Sequence, residues 1–311
     1  MNLEGLRSFL AIAHEKSISK AAQFLHVTQP TLSARIRNME EALGFPLLER
    51  NWEGVKLTRQ GYYFLPYAIQ LLQNLNNAAA VLTPFNGEYN TSFEEVTNNA
   101  NRLIIGMDPW LAPVFLKPVI DELRLQFPDL NVKFITRPSQ TIMDMIEYGG
   151  AHLGICYEMK SSKRLHLNVL LEDETVLLCS SHNQAESYSD LSKLSQVQEP
   201  FLVFDNPILA SHSYFTAPMF KMLDIKQFRT VDDMNLMLHM IALGEGYTVV
   251  PQSCVFKLSE WCALPIRVIP QGKRLPAITV QLAYLQAPAF TEPIECITRK
   301  LSSYCEKQYN N

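Results

Sequence analysis

Residues 17–44 read Ser-Ile-Ser-Lys-Ala-Ala-Gln-Phe-Leu-His-Val-Thr-Gln-Pro-Thr-Leu-Ser-Ala-Arg-Ile-Arg-Asn-Met-Glu-Glu-Ala-Leu-Gly. Ser19 is a candidate N-cap of a short helix. Thr28 is a candidate N-cap of a second helix that has Pro30 in its first turn, where a missing N–H costs nothing. Gly44 is placed to end the second helix. The pattern predicts two helices joined by a tight turn.

The second of these helices has two different faces. Its apolar side chains recur at helical spacing and must face a core. They are Leu32, Ile36, Met39 and Leu43. The opposite face begins with short polar groups and continues with a long cation, which is typical of the recognition helix of a helix-turn-helix. That face carries Pro30, Thr31, Ser33, Ala34, Arg37 and Asn38. An ordinary helical hairpin is the alternative.

The sequence after Gly44 favours a DNA-binding helix-turn-helix over an ordinary helical hairpin. Residues 45–50 and 55–58 fit two short strands, and Asn51-Trp52-Glu53-Gly54 is a turn signal between them. The two strands would form a wing that rests on the DNA backbone beside the recognition helix.

With its wing, this region closely resembles the LysR-type transcriptional regulators. The resemblance rests on Leu6, Phe9, Ser19, Ala21, Ala22, Leu25, residues 28–33, Ile36, Met39, Glu40, Leu43, Gly44, residues 46–50, Leu57, Thr58 and Gly61. It extends more loosely over the whole chain. It implies a ligand-responsive regulator that binds double-stranded promoter DNA and a small-molecule effector. It also implies a homodimer or homotetramer.

The DNA-contacting residues are expected in the helix-turn-helix and the wing. They are Ser19, Thr28, Gln29, Pro30, Thr31, Ser33, Arg35, Arg37, Arg50 and Lys56. Gln29, Pro30, Thr31 and Ser33 are expected to read bases, with Arg35 or Arg37 on phosphates. The sequence departs from the family at Ala34 and at residues 51–53, where the family often has Arg. His152 stands in place of the family's usual Asp, and we expect it to be structural.

The composition and the charge distribution are typical of a small DNA-binding domain joined to a sensing domain. A chain of 311 residues is too long for a single hydrophobic core, so more than one domain is expected. A hydrophobic content of 47% with 19% charged residues is typical of a globular protein. The net charge of −4 is unevenly spread, since residues 1–60 hold eight Lys or Arg against six Asp or Glu. No signal peptide or bilayer-spanning stretch is expected, which indicates the cytoplasm and no membrane partner.

A long helix and a polar hinge should follow the wing. We divide the chain into a winged helix-turn-helix domain at 1–58, a dimerisation helix at 59–85, a hinge at 86–101 and an effector domain at 102–311. The apolar stripe of the helix consists of Tyr62, Leu65, Ile69, Leu72, Leu75 or Asn76, Ala79 and Leu82. This stripe should meet its own copy in a second chain, the alternative being the chain's own effector domain. Pro66 predicts a kink or a delayed start.

Beyond residue 101, strand and helix patterns alternate, which indicates parallel sheets with helices on both faces. Strands are predicted at 103–107, 131–136, 153–157, 174–180, 201–204, 247–250 and 278–284, and helices at 111–126, 141–148, near 191–194, and at 214–223, 234–243 and 293–304. The fold class is therefore α/β, with a two-lobed, periplasmic-binding-protein-like effector domain. Lobe I spans about 102–172 and 277–311, and lobe II about 173–276.

An effector should bind between the lobes, beyond the carboxyl ends of the strands. The candidate contacts are Trp110, Arg137, Ser139, Gln140, Asp205 and Thr248. Donors outnumber acceptors among the groups gathered there, although Asp108 and Asp205 oppose an anion, so a small carboxylate is preferred. Ser139 as a helix cap and Trp110 as a surface aromatic are the alternatives.

Neither catalysis nor a cofactor is expected. The sequence has no Gly-x-Ser-x-Gly, P-loop, His-Glu-x-x-His or Gly-x-Gly-x-x-Gly motif. The six cysteines lack C-x-x-C spacing and fit core positions, with a redox switch as the alternative; no metal site is predicted. A solute-binding receptor without a DNA role is the rival function, and the first 60 residues argue against it.

Overall fold

The computed structural model describes residues 2–51, 54–82, 102–158, 164–183, 188, 194, 197–204, 222–255, 264–270, 275 and 277–309. The chain divides into two compact units, which we name the N-terminal unit (Met1–Thr97) and the C-terminal unit (Asn98–Asn311). Among the described helices, none is both long and apolar enough to cross a membrane.

The N-terminal unit begins with α1 (Leu3–Glu15), α2 (Ile18–Phe24) and α3 (Gln29–Leu43). The predicted caps of α3 are confirmed, because the Thr28 side chain accepts a hydrogen bond from the Thr31 N–H and Gly44 has a left-handed φ of 80°. The predicted cap of α2 was wrong. Ser17 is the N-cap and accepts a hydrogen bond from the Lys20 N–H. Ser17 has the extended backbone of a cap, whereas Ser19 already lies inside the helix.

The predicted wing is confirmed as two antiparallel strands, β1 (Leu48–Asn51) and β2 (Gly54–Leu57). The Glu40 carboxylate joins α3 to this hairpin by accepting hydrogen bonds from the backbone N–H groups of Leu47 and Leu48, at 2.7 and 3.0 Å. This contact holds the wing against the end of the recognition helix.

The helix α4 (Arg59–Leu82) begins before Pro66 and continues through it, so the delayed start that Pro66 suggested does not occur. Ala68 is fully buried in the core of the N-terminal unit, and Leu65 and Leu72 pack against that core. Three other members of the predicted stripe are uncovered, since Tyr62, Ile69 and Leu75 are 66%, 41% and 52% exposed, and Leu71 beside them is 43% exposed. The predicted stripe is therefore shared between the unit's own core and an uncovered surface. The predicted end of the helix and the hinge lie outside the described residues.

Lobe I of the C-terminal unit is built on a five-stranded sheet in the order β4-β3-β5-β12-β6. Its strands are β3 (Arg102–Met107), β4 (Asn131–Thr136), β5 (Leu153–Tyr157), β6 (Leu165–Asp173) and β12 (Ile278–Leu285), and its helices are α5 (Ala112–Gln126), α6 (Ser139–Glu147) and α8 (Thr291–Tyr309). β12 runs antiparallel to β5 and β6, so the prediction of a wholly parallel sheet was wrong. The chain returns from lobe II in the opposite direction, which reverses this strand.

Lobe II contains a three-stranded antiparallel sheet and a parallel strand pair. Its described elements are β7 (Thr175–Ser180), β8 (Phe201–Phe204), β9 (Phe228–Val231), α7 (Met234–Ala242), β10 (Thr248–Pro251) and β11 (Ile266–Pro270). The strands β6, β9 and β11 were not predicted. The predicted helices near 191–194 and over 214–223 lie largely outside the described residues. A shared hydrophobic cluster joins the two lobes, with Trp110 and Phe204 among its members.

Candidate DNA-contact surface and interlobe site

The N-terminal end of α3 presents the side chains that were predicted to read bases. Gln29, Pro30 and Thr31 are exposed, whereas Leu32 is fully buried, so the two faces of the helix are separated as expected. The Thr31 hydroxyl is paired with that of Thr28 at 2.8 Å. The Ser19 hydroxyl donates to Oε1 of Gln29 at 3.2 Å. The side chains of Gln29 and Thr31 are thus held by protein partners before any DNA is bound.

The predicted phosphate contacts differ in their surroundings. The Arg35 guanidinium forms an ion pair with Glu4, with Nη1 and Oε2 2.8 Å apart. Arg37 is exposed on the same helix, and Lys56 is exposed on the wing. The side chain of Arg50 lies outside the described residues. Because Glu4 already holds Arg35, Arg37 is the better candidate of the two for a phosphate contact.

Asp108 directly follows β3, and its side chain is bound at the N-terminus of α6. Its carboxylate accepts hydrogen bonds from the Ser139 backbone N–H at 3.0 Å, from the Ser139 hydroxyl at 2.7 Å and from the Trp110 N–H at 3.1 Å. Ser139 Oγ also accepts the Tyr157 N–H at 3.0 Å. The helix N-terminus that was predicted to receive an anionic ligand therefore already holds a carboxylate of the protein, and the hydroxyl of Ser139 is engaged.

A second pair with the same geometry lies at the end of β6. The Asp173 carboxylate accepts the backbone N–H of Ser253 at 3.0 Å and also its hydroxyl. Burial raises the pKa of both Asp108 and Asp173 to about 6, because removal from water outweighs the hydrogen bonds that favour the ionised form. This pair was not predicted from the sequence, because the strand β6 that ends at Asp173 was not predicted.

The two lobes meet through Trp110 and Tyr157 on one side and Phe204 and Cys254 on the other. The rings of Trp110 and Phe204 pack edge to face with centroids 5.6 Å apart. The Cys254 thiol donates to the Trp110 carbonyl at 3.1 Å and lies 3.9 Å from the Tyr157 hydroxyl. Trp110 is only 6% exposed, so it belongs to the interlobe core and the surface alternative is wrong.

The other predicted effector contacts are only partly brought together. The Thr248 hydroxyl is buried and donates to the Leu202 carbonyl at 2.8 Å. Arg137 is exposed and donates to the Thr136 carbonyl, and Gln140 donates to Asp144 at 2.9 Å. Asp205 lies outside the described residues. The expectation that donors outnumber acceptors is thus weakened, since the Ser139 and Thr248 hydroxyls bind protein acceptors.

His152 and the cysteines take part in packing. Nδ1 of His152 accepts the backbone N–H of Ile104 at 2.9 Å, and its ring packs against Phe290. These contacts agree with the structural role expected for it. Cys156, Cys179, Cys254 and Cys305 are buried as free thiols, and burial raises the pKa of each. Within the described ranges, no group of three or more metal-binding side chains occurs.

A winged helix-turn-helix followed by a two-lobed α/β unit defines a class of DNA-binding regulators that carry their own sensing domain. The family model for bacterial regulatory helix-turn-helix proteins of the LysR family matches residues 3–62, and the LysR substrate binding domain matches residues 97–301. The chain belongs to the LysR family. It is a LysR-type ligand-responsive transcriptional regulator, and its family consists of regulators rather than enzymes.

Named relatives and solved structures agree with this assignment. The chain is 28% identical over 260 residues to the regulator BenM of Acinetobacter baylyi, covering 81% of each chain. It is 22% identical over 312 residues to the Hca operon activator HcaR of Escherichia coli, covering 97% of this chain and 99% of HcaR. The crystal structure of full-length BenM has a TM-score of 0.56 at 22% identity, covering 99% of this chain and 98% of that one. At this identity, the structural match supports the fold.

Proposed function

We propose that this regulator reads its operator through the exposed N-terminal end of α3 and senses a small metabolite between the two lobes of residues 102–311. The observation that carries the proposal is the amphipathic recognition helix, with Leu32 buried while Gln29, Pro30 and Thr31 are exposed. The protein would act in the cytoplasm, where its promoter DNA is, and without enzymatic activity. Domain boundaries at 58, 85 and 101 belong to the same proposal.

Base reading and phosphate binding are separable by mutation. Gln29→Ala should reduce discrimination at one base pair by about 1–3 kcal/mol, because the amide is positioned for a base edge. Arg37→Ala should instead weaken binding to all sequences alike and lower the salt slope by about one phosphate contact per subunit. Competition binding with operator and random duplexes at several salt concentrations measures both. An unchanged operator-to-random ratio in Gln29→Ala would contradict the proposed readout.

We propose a carboxylate metabolite as the effector, with Arg137 as its principal partner. Arg137 is exposed and uses one guanidinium nitrogen on the Thr136 carbonyl, which leaves further N–H groups for a bidentate pair. Gln140 lies in the first turn of α6, three residues after Arg137. The negative charge of Asp108 opposes an anion, so the ligand carboxylate should lie towards Arg137.

A thermal-shift screen of carboxylates, amines and sugars tests the ligand class. We expect stabilisation by an acid and a loss of at least about tenfold in affinity in Arg137→Ala, since a hydrogen bond to a charged group contributes about 1.5–3 kcal/mol. Lys133→Ala, which removes an exposed cation from β4, the strand that leads directly to Arg137, is the matched control and should bind normally. Stabilisation by amines alone would refute the proposed class.

We further propose that α4 joins two copies of the chain. Leu71 lies beside the covered Leu72 and Leu75 lies one turn later, and both extend the apolar surface of the helix into solvent. Exposed leucines on a long helix are best buried against the same helix of a second copy. A homodimer, or a homotetramer built from two of them, would hold two recognition helices in one particle.

A further inference from the structure

The hydrogen bond between Ser19 and Gln29 connects the two helices of the DNA-binding motif. Ser19 lies in the first turn of α2, and Gln29 is the first residue of α3. The Ser19 hydroxyl donates to Oε1 of Gln29 at 3.2 Å, and both side chains are exposed. Because Ser17 caps α2, the hydroxyl of Ser19 is not needed by its own helix. It is therefore available to orient Gln29.

Gln29 is not held by its threonine neighbours. The hydroxyls of Thr28 and Thr31 are paired with each other at 2.8 Å, and Thr28 also accepts the Thr31 N–H. Ser19 thus reaches the Gln29 amide from the other helix. The planar amide carries its oxygen and nitrogen on opposite sides, so a hydroxyl that holds the oxygen directs the two N–H donors of Nε2 away from itself.

The orientation of a glutamine amide decides which base edge it can match. Adenine offers an N–H donor and an acceptor in the major groove, so a glutamine must present both its oxygen and its nitrogen to bind adenine in a bidentate manner. Guanine offers two acceptors, O6 and N7, and requires donors alone. The Ser19 hydroxyl uses one of the two acceptor sites of the Gln29 oxygen and directs the Nε2 donors away from itself. The amide is thereby biased towards donating, which matches guanine better than adenine.

We propose that Ser19 is a positioning residue that makes Gln29 select guanine over adenine at the base pair it meets. The inference rests on the proposed readout by Gln29. It assigns a role to a side chain outside the recognition helix, and it predicts that removing one hydroxyl changes the base preference at a single base pair.

The test uses the full-length protein and four operator duplexes that differ only at the base pair where Gln29→Ala relaxes discrimination. Affinities of the wild type, Ser19→Ala, Ser19→Thr, Gln29→Ala and the double variant are measured by competition. We expect Ser19→Ala to lower the guanine-over-adenine ratio by about tenfold, whereas loss of a phosphate contact would weaken binding to all duplexes alike and leave that ratio as it is. Ser19→Thr retains the hydroxyl and should retain the ratio.

A double-mutant comparison shows whether Ser19 acts through Gln29. In the Gln29→Ala background, Ser19→Ala should have no further effect on base preference. Lys20→Ala, at the neighbouring exposed position, serves as the control and should not alter the ratio. A wild-type preference for adenine would overturn the inference. So would an equal loss of affinity on all four duplexes and random DNA in Ser19→Ala, since that would make Ser19 a phosphate contact. If Gln29→Ala relaxes no position, the proposed readout itself fails.

Discussion

The Gly61→Ala variant is expected to lose about 3 kcal/mol or more of stability in the N-terminal unit and, with it, DNA binding. Gly61 lies in the first turn of α4, where an added Cβ would stand 2.1 Å from the Leu47 carbonyl oxygen and 3.3 Å from Cδ2 of Leu57. The carbonyl belongs to the backbone and cannot rotate away. Helix α4 or the wing must therefore move, and overpacking of this kind costs the most when backbone is displaced.

Thermal and urea unfolding of full-length Gly61→Ala should show one weakened transition. The C-terminal unit has its own core and should unfold as in the wild type. Gly150→Ala is the matched control, because a Cβ there meets Met145 atoms at 3.5 Å and beyond, which is ordinary contact. Stability of the N-terminal unit within about 0.5 kcal/mol of wild type would contradict the close approach of α4 to Leu47.

The Leu75→Asp variant should dissociate the proposed dimer and reduce operator affinity by about 100-fold or more. Leu75 is 52% exposed on the continuation of the apolar face of α4, and an aspartate there would bury an unpaired charge in the interface. Two half-sites would then no longer be bound by one particle, so the gain from their effective concentration is lost.

Sedimentation equilibrium and operator binding measure the two effects of Leu75→Asp together. Asn77→Asp introduces the same charge on the opposite face of the same helix and should remain dimeric. Folding of the N-terminal unit should be unaffected, since Leu75 lies beyond its core. If Leu75→Asp sediments as the wild type does, α4 is not the dimer contact.

Elements with strong local signals were predictable from the sequence. The caps at Thr28 and Gly44 and the buried stripe of α3 follow from helix geometry alone, and the turn at residues 51–54 correctly indicated the wing. The strand β5 was also predicted with its observed bounds, because all five of its residues are buried and apolar or small. In these places the local pattern and the tertiary fold require the same structure.

The features that were missed depend on partners distant in sequence. Strand β9 has three exposed residues of four, so no apolar pattern marks it. The direction of β12 follows from where the chain re-enters lobe I. The hydrogen bond between Ser139 and Asp108 was not predicted, because Asp108 lies 31 residues earlier and meets Ser139 only across the sheet. The prediction of Ser19 as the N-cap of α2 was wrong because Ser17, two residues earlier, has the same hydroxyl and caps the helix.

Sequence-specific DNA binding tests the central claim most directly. Fluorescence anisotropy should compare a duplex from upstream of this protein's own gene with a shuffled duplex of equal length, at one fixed near-physiological salt concentration. We predict a preference of at least about 10³-fold for the upstream duplex, as specific regulators show, and a marked loss of that preference in Gln29→Ala. Equal affinity for the two duplexes would contradict it.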